Sequence, residues 1–305
     1  MLDDLKGNVH EMVTAMILAF CCAVVPDGAV SPELHARCLS ILHEALADGK
    51  EFVKVHAAES LIWTGNAGNV RDVFLKEPSD VPRYRIGVWR VLAQTAPNPK
   101  GRQEYENKIL AVLLDTNAPD RTHAAETSGK LGVTSHVAEV MEMTKGEAGA
   151  SQAMARWVLA NSGDEKDEAF LAELLESPNT DARGCAAYAL RFFKKIRPAT
   201  YEKLKAAAEK EPEGSPQRAN MVSPWYLHAT PAERPGVRAR LLECAATGKS
   251  ADQREVCAAL GRAPDPADLP FLTKLLDDAD LDARAGAAEA ILRIELSRKK
   301  PGEGR

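Results

Sequence analysis

Sequence patterning implies an all-α chain built as a series of about eight helical hairpins. The first sign is the stretch DARAGAAEAILRIEL, residues 282–296, where Ala283, Ala287, Ala290, Ile291 and Ile294 recur three or four residues apart and form one apolar stripe on a helix. The stripe is narrow and mostly methyl-sized, so neighbouring helices can approach closely while Arg284 and Glu289 stay off the seam. The second sign is repetition: DARGCAAYALRFF, residues 181–193, repeats the spacing with Ala182, Ala186, Ala189 and Leu190 about 101 residues upstream, three units of roughly 34. The third is composition, since 45% hydrophobic residues with only 5% aromatic favours packed helices over sheets. A chain of 305 residues has room for two domains. An array with neighbour-only contacts behaves as one elongated body, so residues 31–296 are read as a single domain.

Caps and breakers divide the chain. Ser31-Pro32-Glu33 supplies a cap followed by proline at the first helical position and opens a helix to about residue 47. Its apolar face is Leu34, Cys38, Ile41, Leu42 and Leu46, and Asp48-Gly49 closes it. A second helix, 51–64, contains VHAAESLIW and stops at Gly65. The pair 66–76 and 81–95 is divided by Pro78-Ser79-Asp80, and Pro97-Asn98-Pro99 breaks the chain before 102–115 and 120–131. In the last of these HAAE returns, placing His123 about 67 residues after His56, again two units. Pairs follow at 133–144 with 148–160 and at 167–175 with 181–193. The sixth, 198–210 with 216–228, carries Pro224 inside its second helix, which is expected to kink or end there. The pairs 231–246 with 251–260 and 268–276 with 282–296 complete the series, and residues 297–305 are expected to form a loose tail.

Residues 1–30 stand apart. TAMILAFCCAVV, residues 14–25, is an apolar run of about a dozen, short of the roughly 20 a membrane span needs but suited to the core of a secretory signal. The flank MLDDLKGNVHE is acidic where a signal is positive, and Phe20 in the Leu18-Ala19-Phe20-Cys21 stretch occupies a place that a lipoprotein box gives to a small residue. The segment is read as a signal or lipoprotein anchor in preference to the alternative, an ordinary first helix. The expected location is therefore exported, periplasmic or lipid-anchored, in preference to cytoplasmic, with no transmembrane span. Net charge is −5 with both signs interleaved, so no basic stripe suits a phosphate backbone and nucleic acid is not an expected partner. The six cysteines (Cys21, Cys22, Cys38, Cys185, Cys244, Cys257) show no CxxC pair and no zinc-type His spacing, so neither metal, disulfide framework nor cofactor is expected.

The recurring form of an apolar residue, Arg, two residues, Ala-Ala, one residue and Ala-Leu appears as ARAGAAEAI and ARGCAAYAL, and more loosely as KVHAAESL. It resembles HEAT repeats, above all the short HEAT-like units named after phycobilisome bilin lyases. The resemblance covers most of residues 31–296 and is specific for fold, since members include scaffolds, enzyme subunits, lyases and adaptors. It implies a right-handed α-solenoid, with first helices on the convex side and second helices lining the concave side, and it leaves function to side chains grafted on that frame.

Alignment of the second helices on their alanine cores leaves two positions beside the seam. One holds His56, Gly87, His123, Met154 and Cys185; the other, three residues on, holds Glu59, Arg90, Glu126, Trp157 and Tyr188. The candidate ligand-binding set is His56, Glu59, Arg90, His123, Glu126, Arg156, Trp157 and Tyr188, with Trp63 and Trp89 nearby. Arg90 and Arg156 offer planar donor forks to an anionic or hydroxylated ligand, Trp157 and Tyr188 offer stacking faces, and His56 with Glu59 or His123 with Glu126 could exchange protons. Units seven and eight contribute only Ala258 and Glu289 at the second position, so a localised function is expected in the N-terminal five-eighths. The same residues also have a purely structural reading: i,i+3 pairs on one helix, aromatics filling gaps, and Arg183, Arg254 and Arg284 bracing acidic loops. No Gly-rich phosphate loop, nucleophile elbow or HExxH is present, so catalytic residues stay unassigned and enzymatic activity stays open. The first functional reading is a non-catalytic HEAT-repeat binding or scaffold protein holding a protein or peptide on its concave face. The second is an enzyme or carrier for a small polar or anionic metabolite, a carbohydrate or sugar acid. Bilin-lyase activity is a third, resting on the repeat name alone.

Overall fold

The computed structural model describes residues 29–145, 149–163, 165–246 and 249–298, and these are helical with no strand. The apolar run 14–25, Cys21, Cys22 and the tail beyond residue 298 lie outside the described residues. Eight hairpins follow one another: α1 (Pro32–Asp48) with α2 (Phe52–Trp63), α3 (Val70–Phe74) with α4 (Tyr84–Gln94), α5 (Pro99–Leu114) with α6 (Arg121–Leu131), and α7 (Val137–Glu142) with α8 (Ala150–Ala160). Next come α9 (Glu165–Leu174) with α10 (Thr180–Leu190), α11 (Pro198–Lys210) with α12 (Arg218–His228), α13 (Arg234–Ala246) with α14 (Ser250–Arg262), and α15 (Leu269–Leu275) with α16 (Leu281–Arg298).

Local chemistry accounts for the boundaries. Ser31 accepts the Leu34 N–H ahead of Pro32, as its cap-then-proline pattern requires. Asn98 does the same for Gly101 ahead of Pro99, so α5 begins about a turn earlier than the double proline suggested. Pro224 does not end α12, which continues to His228; the proline withholds only the N–H that the Asn220 carbonyl would otherwise accept. Ser297 and Arg298 extend α16 instead of joining a tail.

Even-numbered helices touch their even-numbered neighbours along the whole series and form a continuous inner layer, with odd-numbered helices packed outside it. The buried core runs between the layers and is dominated by the alanines of the inner helices, among them Ala57, Ala58, Ala124, Ala125, Ala186, Ala187, Ala287 and Ala288. Close approach shows at Gly129 on α6, where a Cβ would lie 2.6 Å from the rigid Trp157 indole of α8. Gly129→Ala is expected to destabilise by about 1–3 kcal/mol in urea unfolding, because overpacking against a rigid indole outweighs alanine's better helix propensity. An unchanged midpoint would show that the indole has room to move.

A polar belt braces the hairpins. Two residues before the upper seam position, every inner helix carries a long donor: Lys54, Arg85, Arg121, Gln152, Arg183, Arg218, Gln253 or Arg284. Each bonds a loop or loop-flanking group: Glu77, Asp120, the Leu113 carbonyl, the Thr144 carbonyl, Glu211, the Glu211 carbonyl, the Asp278 side chain and the Asp278 carbonyl respectively. Arg183 and Arg284 thus brace acidic loops as expected.

The last hairpin packs on the first. α16 lies against both α1 and α2, and polar contacts seal the junction: His35 Nδ1 to Glu295 (2.6 Å), Arg37 to Asp277, Arg284 to Glu44 (2.6 Å), His56 Nδ1 to Asp282 (2.9 Å) and Ser60 Oγ to Glu289 (2.8 Å). The inner helices therefore form a closed ring, where the sequence suggested an elongated body with neighbour-only contacts. A repeat period carries no record of curvature, which comes from the small rotation between successive hairpins and accumulates over all eight.

Candidate functional site

Because the chain reverses within each hairpin, the inner helices run in one direction and their equivalent turns lie level around the lumen. Three tiers of side chains follow, spaced i, i+3 and i+7 on each helix. The upper tier is His56, Gly87, His123, Met154, Cys185, Asn220, Glu255 and Gly286. The middle tier is Glu59, Arg90, Glu126, Trp157, Tyr188, Ser223, Ala258 and Glu289, and the lower is Trp63, Gln94, Lys130, Asn161, Phe192, Leu227, Arg262 and Arg293. Three cavities occupy this wall. An upper one of about 360 Å³ lies between His123, Glu126, Cys185, Tyr188 and Asn220. A central one of about 280 Å³ is lined from six of the inner helices, including His56, Glu59, Tyr188, Arg191, Arg254, Glu255 and Asp282. A lower one of about 490 Å³ is bounded by Trp63, Gln94, Lys130, Phe192, Arg262 and Arg293. Tyr188 and Asn220 border both the upper and central spaces, and Glu59, Trp63, Lys130, Phe192 and Arg262 border both the central and lower ones.

The expected site residues divide into two groups. His56, Glu59, His123, Glu126 and Tyr188 do line the lumen. Arg90 is buried behind it, 2% exposed like Glu59, and makes a two-pronged pair with that carboxylate through Nε (2.7 Å) and Nη2 (2.9 Å) plus a bond from Nη1 to Thr127. Arg156 reaches Asp167 (2.7 Å) and lies over the Phe170 ring, which ties α8 to α9 away from the lumen. Trp157 is buried against Gly129, Phe192 and Tyr188. The two arginines expected to grip a ligand are thus held in ion pairs, and the larger aromatic is packing.

The expected His–Glu pairs are also partnered differently. His56 bonds Asp282 across the ring junction, and Glu59 takes Arg90 and Gln94 instead. Glu126 meets Lys130 (2.8 Å) and the Tyr188 hydroxyl (2.8 Å), while His123 lies beside the Phe52 ring, which also neighbours His56. Burial pulls the His123 imidazole below its ordinary pKa against the attraction of Glu126. Burial opposes ionisation of Glu59, but the charge of Arg90, then Lys130, and the hydrogen bonds from Arg90 and Gln94 hold it down at about 2. Burial pushes the Cys185 and Cys257 thiols up to about 12, which leaves neither as a ready nucleophile.

The central cavity draws equally on the last two hairpins, beyond the N-terminal five-eighths where function was expected. Arg191 bonds Glu255 across the lumen, and Glu289 takes Arg254 (3.2 Å), Arg293 (2.8 Å) and Ser60 at once. Arg254, expected among the loop-bracing arginines, stands one residue out of their register, and Gln253 fills the belt position. A one-residue step turns a helix by about 100°, which carries Arg254 onto the lumen. Extending the i,i+3 pattern to i+7 would have found Lys130, Arg262 and Arg293. Arg191 Nε, Arg254 Nη1 and Glu255 Oε1, all on residues lining the central cavity, are buried with no hydrogen-bond partner.

Among the described residues, no group of three or more His, Cys, Asp or Glu is arranged to hold a metal ion, and no helix is long and apolar enough to cross a membrane. Compared with known proteins, the chain matches no family model and no curated sequence.

Proposed function

We propose that this chain is a binding protein or carrier of the HEAT-like repeat class, with that class's right-handed array, and that its central cavity takes a small polar or anionic metabolite, a carbohydrate or sugar acid. One observation carries the reading: the side chains of Arg191, Arg254 and Glu255, two guanidinium groups and a carboxylate, meet at a single cavity of about 280 Å³. A ligand there can offer acceptors to the guanidinium groups and a hydroxyl to the carboxylate where these side chains face the cavity, and hydrogen bonds to charged groups are the strong ones. Tyr188 and Phe192 give the same wall apolar faces on which a sugar ring could rest. A protein or peptide on the concave face, the first expectation from sequence, suits an open groove; a closed wall around a cavity of this size favours a small ligand.

Thermal unfolding of the full chain with glucuronate, gluconate, glucose and sorbitol tests the reading. At least one compound at saturating concentration should raise Tm by roughly 2–5 °C, and Arg254→Gln should abolish the rise. A Tm unmoved by every compound would sink the proposal.

A further inference from the structure

The lower tier of the lumen concentrates positive charge. Lys130, Arg262 and Arg293 come from α6, α14 and α16 and border one cavity together with Trp63, Phe192 and the Gln94 amide. Lys130 is neutralised by Glu126 and Arg293 by Glu289. Among the described residues, no carboxylate lies within 4 Å of Arg262; its guanidinium instead sits over the Phe192 ring at 4.2 Å. Gly261 lets the two arginines crowd, since a Cβ there would meet Arg293 Cδ at 2.9 Å. Burial, then the like charges of Arg191 and Arg293, press Arg262 below the usual arginine range despite the pull of Glu289. Cations near helix C-termini also answer the helix dipoles, which accounts for Lys130 and Arg262 at the ends of α6 and α14 but not for the absence of a carboxylate beside Arg262.

We infer that Arg262, flanked by Lys130 and Arg293, is the seat for the anionic end of the ligand, a carboxylate or phosphate group, with the hydroxylated body extending up into the central cavity. The inference rests on the small-ligand reading for the body but stands separately for the anion. Arg262 belongs to both the central and lower spaces, so a ligand held there reaches Arg254 and Glu255 without leaving the lumen. Trp63, 38% exposed beside Arg293, marks the outer side of the seat.

Calorimetric titration of the full chain with gluconate, sorbitol and inorganic phosphate separates the possibilities. The wild type should bind gluconate at least about tenfold more tightly than sorbitol, which carries a sixth hydroxyl in place of the carboxylate. Arg262→Gln should erase that preference and abolish phosphate binding, and Arg262→Lys should retain part of both. Gluconate preference or phosphate binding that survives Arg262→Gln, or the absence of both from the wild type, overturns the seat; sorbitol binding would still uphold the central-cavity reading. Phosphate binding that depends on Arg262, with neither polyol bound, upholds the seat and counts against the sugar-like body.

Discussion

Glu59→Ala is expected to lower the free energy of unfolding by about 3–5 kcal/mol, because it leaves the Arg90 guanidinium buried with its charge uncompensated. Arg90 is 2% exposed and loses both prongs of its pair, keeping only Thr127. Equilibrium urea unfolding of the two proteins gives the difference. The double variant Glu59→Leu, Arg90→Met should recover most of the loss, since a well-packed apolar pair often equals a buried ion pair. A Glu59→Ala loss below about 1 kcal/mol would mean that water reaches the guanidinium and that the pair is a surface pair in effect. The pH dependence has a definite sign. Folding lowers the Glu59 pKa from 4.5 to about 2, so the stability it contributes is present above about 4.5 and is lost as pH falls toward about 2.

Glu289→Ala should be nearly as damaging, by about 3 kcal/mol, and more localised in its effect. One carboxylate there serves Arg254, Arg293 and the Ser60 hydroxyl of the first hairpin. Its removal leaves Arg293 without its carboxylate and Arg254 with only Asp282 at 3.9 Å, at the seam between α16 and α2. Amide hydrogen exchange should quicken first in α1, α2 and α16, with α6 to α10 slower to respond. Uniform acceleration along the chain would contradict the seam's dependence on this residue.

Much of the architecture is legible in the sequence because its determinants are local. Ser31-Pro32, Gly65 and the alanine seams act within a few residues, and the helices they delimit are those observed. The shift at Pro99 is instructive, since the adjacent Pro97 hid a cap-then-proline start of the kind correctly read at Ser31-Pro32. The inner-wall positions were legible too, from the i,i+3 spacing. Their partners were not. Glu59 finds Arg90 31 positions away, His56 finds Asp282 226 positions away, and Ser60 finds Glu289 229 away. Such pairings depend on the rotation between hairpins, to which residue spacing is blind. Arg254 shows how small a register error matters, for one residue separates a loop brace from a lumen cation.

A linear repeat protein unzips from its ends, where a terminal hairpin has a neighbour on one side only, and its melting is correspondingly gradual. In this chain each hairpin is supported from both sides, so no terminal unit offers an easy starting point for fraying. Cooperativity should span the whole ring, and the contact that completes it, between segments up to 260 positions apart, burdens folding with a late, entropically costly closure.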